Sequence, residues 1–132
     1  MRRDQLEKLC EAISSNAGNS IKEVNINHVR VNLQGAKAIA QMLTAYQDLN
    51  SLHLVDTGLD CDTLLEICKG VAKSKSMEFL DLRHNIFDDK GLAGLINAFE
   101  ANMVIKHIYL EGMTINHDEA ERLAKFFDRK DC

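Results

Sequence analysis

Residues 49–60, LNSLHLVDTGLD, and residues 77–88, MEFLDLRHNIFD, carry one pattern twice, 28 residues apart. Both place apolar side chains at their first, fourth, sixth and eleventh positions: Leu49, Leu52, Leu54 and Leu59, then Met77, Leu80, Leu82 and Phe87. The same spacing continues outward in both directions. Upstream it is filled by Ile21, Val24, Ile26 and Val31, and downstream by Ile105, Ile108, Leu110 and Ile115. A fixed period without insertion or deletion is the mark of a solenoid, in which each unit hides its apolar side against its neighbours. The units run 21–48, 49–76, 77–104 and 105–132 and read as one domain of 132 residues, with a 1–20 segment ahead of them.

Within a unit the period changes halfway. Val24-Asn25-Ile26, Leu52-His53-Leu54, Leu80-Asp81-Leu82 and Ile108-Tyr109-Leu110 alternate apolar and polar, which predicts short strands with one buried face. The distance from each strand to its successor leaves room for a crossover helix, so the strands are expected to be parallel. Position twelve holds Asn32, Asp60, Asp88 or Asn116, short acceptors suited to capping a helix N-terminus. Apolar residues then recur at helical spacing, as in Leu64, Ile67, Cys68 and Val71, or Ala120, Leu123, Ala124 and Phe127. Ala36 and Ala120 are expected to allow close approach of helix to strand where Leu64 and Leu92 fill the same slot. Gly35 and Gly91 share position fifteen, where packing in the first helical turn is the expected role, because no phosphate-binding glycine motif surrounds them. Leu6, Leu9, Cys10 and Ile13 predict an N-terminal capping helix over the edge of the first strand, followed by a polar connection containing Gly18. The fourth strand has no evident cover of its own.

Composition narrows the function classes. Apolar residues at 45% and charged residues at 27% describe a folded chain with an ample core. The net charge of -4, with acids and bases interleaved, disfavours nucleic acid. No apolar run reaches the roughly 18 residues that a membrane span requires. The opening Met1-Arg2-Arg3-Asp4-Gln5-Leu6-Glu7 turns acidic and amphipathic at once, unlike a secretory leader. Of the four cysteines, Cys61 and Cys68 lie about two helical turns, ~10 Å, apart, too far for a disulfide. None of the four, Cys10, Cys61, Cys68 and Cys132, forms a C-x-x-C pair; Cys10 and Cys68 read as small core residues, and a reduced, cytoplasmic setting is expected.

The strand pattern L-x-x-L-x-L-x-x-N/T-x-L followed by a long helix resembles the leucine-rich repeat family, in its ribonuclease-inhibitor-like subtype. That resemblance implies an α/β right-handed solenoid with four parallel short strands on a concave face and helices on the convex face. The short run of units looks most like the tropomodulin C-terminal domain, and is also similar to repeats of Ran GTPase-activating proteins and of nucleotide-binding innate-immune receptors. One departure stands out. The family's ninth position holds Asn, Thr or Cys, whereas here it is Val29, Thr57, Asn85 and Met113. The internal polar ladder is therefore expected in the middle two units only.

Ligands of the family generally meet the concave strands. Carried onto this chain, that implies a partner-binding face containing Asn25, His53, Phe79, Asp81, Arg83, Lys106 and Tyr109, with Phe79 and Tyr109 as anchors. Position eight offers His28, Asp56, His84 and Gly112, a row in which a metal site is conceivable but an ordinary surface row is the expectation. Neither a nucleophile elbow nor an H-E-x-x-H zinc motif nor a phosphate loop is present. The reading is a non-enzymatic module, without cofactor or metal, that binds a protein partner. Its rivals are a regulator of a small GTPase and a fragment of a longer repeat-containing receptor or scaffold. Neither the partner nor the oligomeric state follows from the sequence. Asp118, Glu119, Glu121, Arg122 and Lys125 read as a solvated helix flank.

Overall fold

The computed structural model describes residues 3–15, 20–101, 104–111 and 116–130. Helix α1 (Arg3–Ser14) is followed by four strand–helix units: β1 (Glu23–Asn25) and α2 (Leu33–Ala45), β2 (Ser51–His53) and α3 (Cys61–Lys73), β3 (Phe79–Asp81) and α4 (Asp89–Ala101), β4 (His107–Tyr109) and α5 (His117–Lys130). The strands form one open parallel sheet in the order β1-β2-β3-β4. Its register repeats the sequence period, since Val24 pairs with Leu52, Leu52 with Leu80, and Leu80 with Ile108. The chain is the expected leucine-rich-repeat solenoid, strands on the concave side and helices on the convex side.

The repeated apolar positions make the core. Leu49, Leu52, Leu54, Leu59, Met77, Leu80, Leu82 and Phe87 are all buried, together with Leu64, Ile67, Leu95, Ile96 and Phe99 from the helices. Four caps start the helices where the sequence places them. Asn32 accepts from Gly35 N at 2.9 Å, Asp60 from Thr63 N at 3.0 Å, Asp88 from Gly91 N at 3.2 Å and Asn116 from Glu119 N at 2.8 Å. Thr63 Oγ1 in turn accepts from Asp60 N at 2.9 Å, completing a reciprocal capping pair. Gly35 and Gly91 are packing glycines, as expected: a Cβ would sit 3.0 Å from Leu6 Cδ2 and from Phe87 Cβ respectively.

The polar ladder of the middle units is present. Asn85 is buried and donates to Leu54 O and Leu82 O while accepting from the amides of Thr57 and Leu59; Thr57 donates to Leu54 O. In the first unit, Val29 offers no such group, and its amide makes a longer 3.4 Å bond to Ile26 O. Met113, Gly18, Gly112, Ile115 and Cys132, along with the Phe127 side chain, lie outside the described residues.

Three expectations need correction. Helix α1 does not lie along the edge of β1; among the described residues it packs on α2, because Leu6, Cys10 and Ile13 feed the same layer as the α2 stripe. Ala120, expected against the sheet, is exposed, as is Ala124, since α5 meets only α4 among the described elements. Arg122 is correspondingly not a free flank residue. It bonds Glu100 Oε1 at 2.6 Å and Asn97 Oδ1, tying α5 to α4.

Candidate partner-binding surface

The parallel register lines up the outward-facing strand residues from unit to unit. One row is Glu23, Ser51, Phe79 and His107; the next is Asn25, His53, Asp81 and Tyr109. Strands about 4.8 Å apart bring such neighbours into contact. Phe79 consequently sits in an aromatic cluster, with the Tyr109 ring 4.9 Å away and edge-on at 78°, His53 at 5.3 Å and His107 at 6.4 Å. The edge-to-face arrangement matches the ring quadrupoles. Arg83 adds its guanidinium carbon 5.4 Å from the Tyr109 centroid, within cation–π range.

Beneath these rings lies a carboxylate. Arg83 grips Asp81 through Nε at 2.9 Å and a terminal nitrogen at 2.8 Å, while its backbone N–H donates to the same group at 3.3 Å. His53 stands between two acids, Nδ1 at 3.5 Å from Asp81 Oδ2 and Nε2 at 3.7 Å from Glu23 Oε2. Asp81 is only 1% exposed, although its place on the strand reads as surface. Burial alone would push its carboxyl up, but hydrogen bonds from Arg83, the charge of that guanidinium and the His53 contact outweigh it and hold the group below its ordinary 3.8. Asp81 is thus a support that fixes Arg83 and His53, and a partner would meet the side chains above it.

A pH dependence follows. A carboxyl held low when folded adds stability that is present above its unfolded value and is lost as pH falls through the folded value. Asp81→Asn is expected to cost about 1 kcal/mol near neutral pH, a figure kept small because Arg83 is partly solvated. Urea unfolding of both proteins from pH 7 to pH 2 checks it: the gap should hold down to about pH 5 and close below the ordinary 3.8. A gap that widened in acid would have the wrong sign.

Five of the seven residues expected on this face, His53, Phe79, Asp81, Arg83 and Tyr109, come together in one cluster. Asn25 lies at the end of the same row, its side chain accepting from Asn27 N at 3.0 Å. Lys106 stands just ahead of β4, where Nζ pairs with Glu78 Oε2 at 2.6 Å. Glu23 and His107, which are not among the seven expected residues, contact His53 and Phe79; the 28-residue offset identifies the Phe79–His107 pair, whereas Glu23 faces Ser51 and reaches His53 on the diagonal.

The position-eight row has a backbone explanation. His28, Asp56 and His84 all have positive φ, at 64°, 55° and 61°. His and Asp are among the residues that tolerate this left-handed turn, which aims each amide at the next unit: His28 N to Val55 O, Asp56 N to Arg83 O and His84 N to Glu111 O. His28 Nδ1 also pairs with Asp56 Oδ2 at 3.0 Å. Among the described residues no group of three His, Cys, Asp or Glu side chains is gathered as a metal site.

No family model matches the sequence, and no curated protein does. Solved structures do match. Over 98% of this chain and 74% of the other, the fold superposes on actin-binding site 2 of leiomodin-1 with a TM-score of 0.87 at 17% identity. The tropomodulin C-terminal domain from Caenorhabditis elegans matches over 95% of this chain and 92% of its own, with a TM-score of 0.73 at 14% identity. At such identities the likeness is one of fold.

Proposed function

We propose that this chain is a non-catalytic, cytoplasmic protein-interaction module that binds its partner through the concave strand face, and that the partner is actin. The observation that carries the first part is the Phe79–Tyr109 pair, two aromatic rings held at 4.9 Å on an open sheet. Tyr109 is 46% exposed. Aromatic side chains with little rotamer freedom, flanked by an Arg fixed on a buried acid, are the make-up of interface hot spots. Asn25, His53 and Lys106 would set register around them. Support for actin comes from the shared fold with a leiomodin-1 element that is named for binding it. Among the described residues, no helix is long and apolar enough to cross a membrane.

The test is a titration of labelled monomeric actin with the protein and with a Phe79→Ala/Tyr109→Ala double variant. Each anchor of this type contributes about 2 kcal/mol, so the double variant should bind at least tenfold more weakly while its circular dichroism stays native. Equal affinity of the two proteins would remove the concave face. Failure of the parent protein to bind would remove actin.

A further inference from the structure

The concave face lacks one hydrogen-bond donor. The His53 side chain is 19% exposed, and each of its ring nitrogens faces a carboxylate, Nδ1 at 3.5 Å from Asp81 Oδ2 and Nε2 at 3.7 Å from Glu23 Oε2. Both separations exceed the roughly 2.7–3.2 Å of an ordinary N–H···O bond. An ionised carboxylate only accepts, and a neutral imidazole has one N–H and one lone pair. One of the two gaps therefore sets a lone pair against an acid.

Burial decides which gap goes without. Asp81 is 1% exposed, so a ring lone pair turned on it would repel with little water to screen the contact. The Glu23 side chain is 63% exposed, where water weakens the same repulsion. That favours the proton on Nδ1 and leaves Nε2 bare toward Glu23. Around the ring stand Glu23 and Asn25 of β1, Phe79, Asp81 and Arg83 of the third unit and, beyond Phe79, His107 and Tyr109 of β4. Arg83 is the permanent cation of this set, and two of its nitrogens are committed to Asp81. Among the described residues no Lys or Arg pairs with Glu23. The register sets Ser51 between Glu23 and Phe79, so the gap lies beside a small hydroxyl residue with an acid on one side and an aromatic ring on the other.

We infer, on the reading that a partner protein docks on this face, that the gap between Glu23 and His53 Nε2 receives a cationic side chain of that partner, a Lys ammonium or an Arg guanidinium. Its N–H groups supply the missing donor to the carboxylate and the ring lone pair together, and the Phe79 ring adds a surface that attracts the same charge. A proton on Nε2 fills the same place. The imidazolium then donates to both acids and turns a positive charge on the incoming one, so proton and partner cation exclude each other. Affinity should fall with acidification across the range, about pH 8 to 5, in which imidazoles change charge.

Nitrogen-15 spectroscopy of the histidine rings tests this without a partner protein. At about pH 8 the neutral His53 ring should carry its proton on Nδ1. Nα-acetyl-lysine methylamide, added to about 100 mM, should then move the Nε2 signal about threefold further than its norleucine analogue, which has the same stem without the amine. That difference should vanish at about pH 5.5, and also in Glu23→Gln protein, whose own amide can donate to Nε2. A ring protonated on Nε2, equal shifts from the two probes, or a lysine response that persists in acid or in Glu23→Gln would overturn the inference. Glu23→Gln should also weaken actin binding about fivefold near pH 8. Failure of the parent protein to bind actin would remove actin as the partner and leave the lysine response to decide this site.

Discussion

Replacing Asn85 by alanine is expected to destabilise the protein by about 4 kcal/mol, more than most truncations of one polar side chain. The side chain is 6% exposed and serves two units at once. Its amide nitrogen donates to Leu82 O in its own unit at 3.0 Å and to Leu54 O in the preceding one at 2.8 Å. Its oxygen accepts from Thr57 N at 3.0 Å and Leu59 N at 3.1 Å, both across the unit boundary. Truncation orphans two buried amides and at least one carbonyl, each costing about 1–3 kcal/mol, while the space left behind admits water and reduces the total. Asn85→Thr should recover part of the loss, because a threonine at this position can bond its own strand, as Thr57 does to Leu54 O at 3.1 Å. It cannot reach back to the earlier amides. Urea unfolding should therefore rank the parent above Asn85→Thr, and that above Asn85→Ala. Repeat stability is a sum of unit terms and nearest-neighbour terms, and Asn85 contributes to the latter. The alanine variant should also show a broader transition, as the second and third units come apart. A loss below about 1 kcal/mol, or a threonine variant no better than alanine, would contradict this account.

The same residue shows what was legible beforehand. The 28-residue period assigns Asn85 to an inward-facing ladder position, and it places all four strands, their parallel order, the capping residues Asn32, Asp60, Asp88 and Asn116, and the shared row of His53, Asp81 and Tyr109. These follow from repetition, because a unit that must bury its apolar side against a copy of itself has little choice of register. Depth within the concave face was not legible. Asp81 alternates like a surface residue, and its burial arises from Arg83 two positions on and from His53 a full unit earlier folding over it. That depends on side-chain lengths in neighbouring rows, which no single strand's pattern reports. The His28–Asp56–His84 row misleads in the other direction. Its chemistry suggests a site, yet a left-handed turn at each of the three positions accounts for the residue types.

Gly70→Ala is the second large effect, and helix propensity gives it the wrong sign. Gly70 lies inside α3, where alanine is better than glycine by about 1 kcal/mol. Gly94 inside α4 is the useful contrast: a Cβ there meets Leu65 Cδ2, the end of a half-buried side chain that can swing aside. Gly94→Ala should accordingly be neutral, or stabilising by up to about 1 kcal/mol. At Gly70 the obstacle is the backbone of the neighbouring helix, with Ala40 O at 2.6 Å, Ala40 Cα at 2.7 Å and Ala40 C at 3.0 Å from the added carbon. Backbone can yield only by moving α2 against α3, and overpacking of this kind costs about 1–3 kcal/mol, occasionally more. The upper end applies here, since three atoms of a rigid element must give way together. Subtracting the propensity gain leaves an expected net loss of about 2 kcal/mol for Gly70→Ala, read as a fall in the urea midpoint. Strand pairing between β2 and β3 does not pass through Gly70, so the Phe79–Tyr109 cluster should survive in the folded variant. A Gly70→Ala protein that is as stable as the parent would show that the close approach of α2 and α3 does not constrain this position.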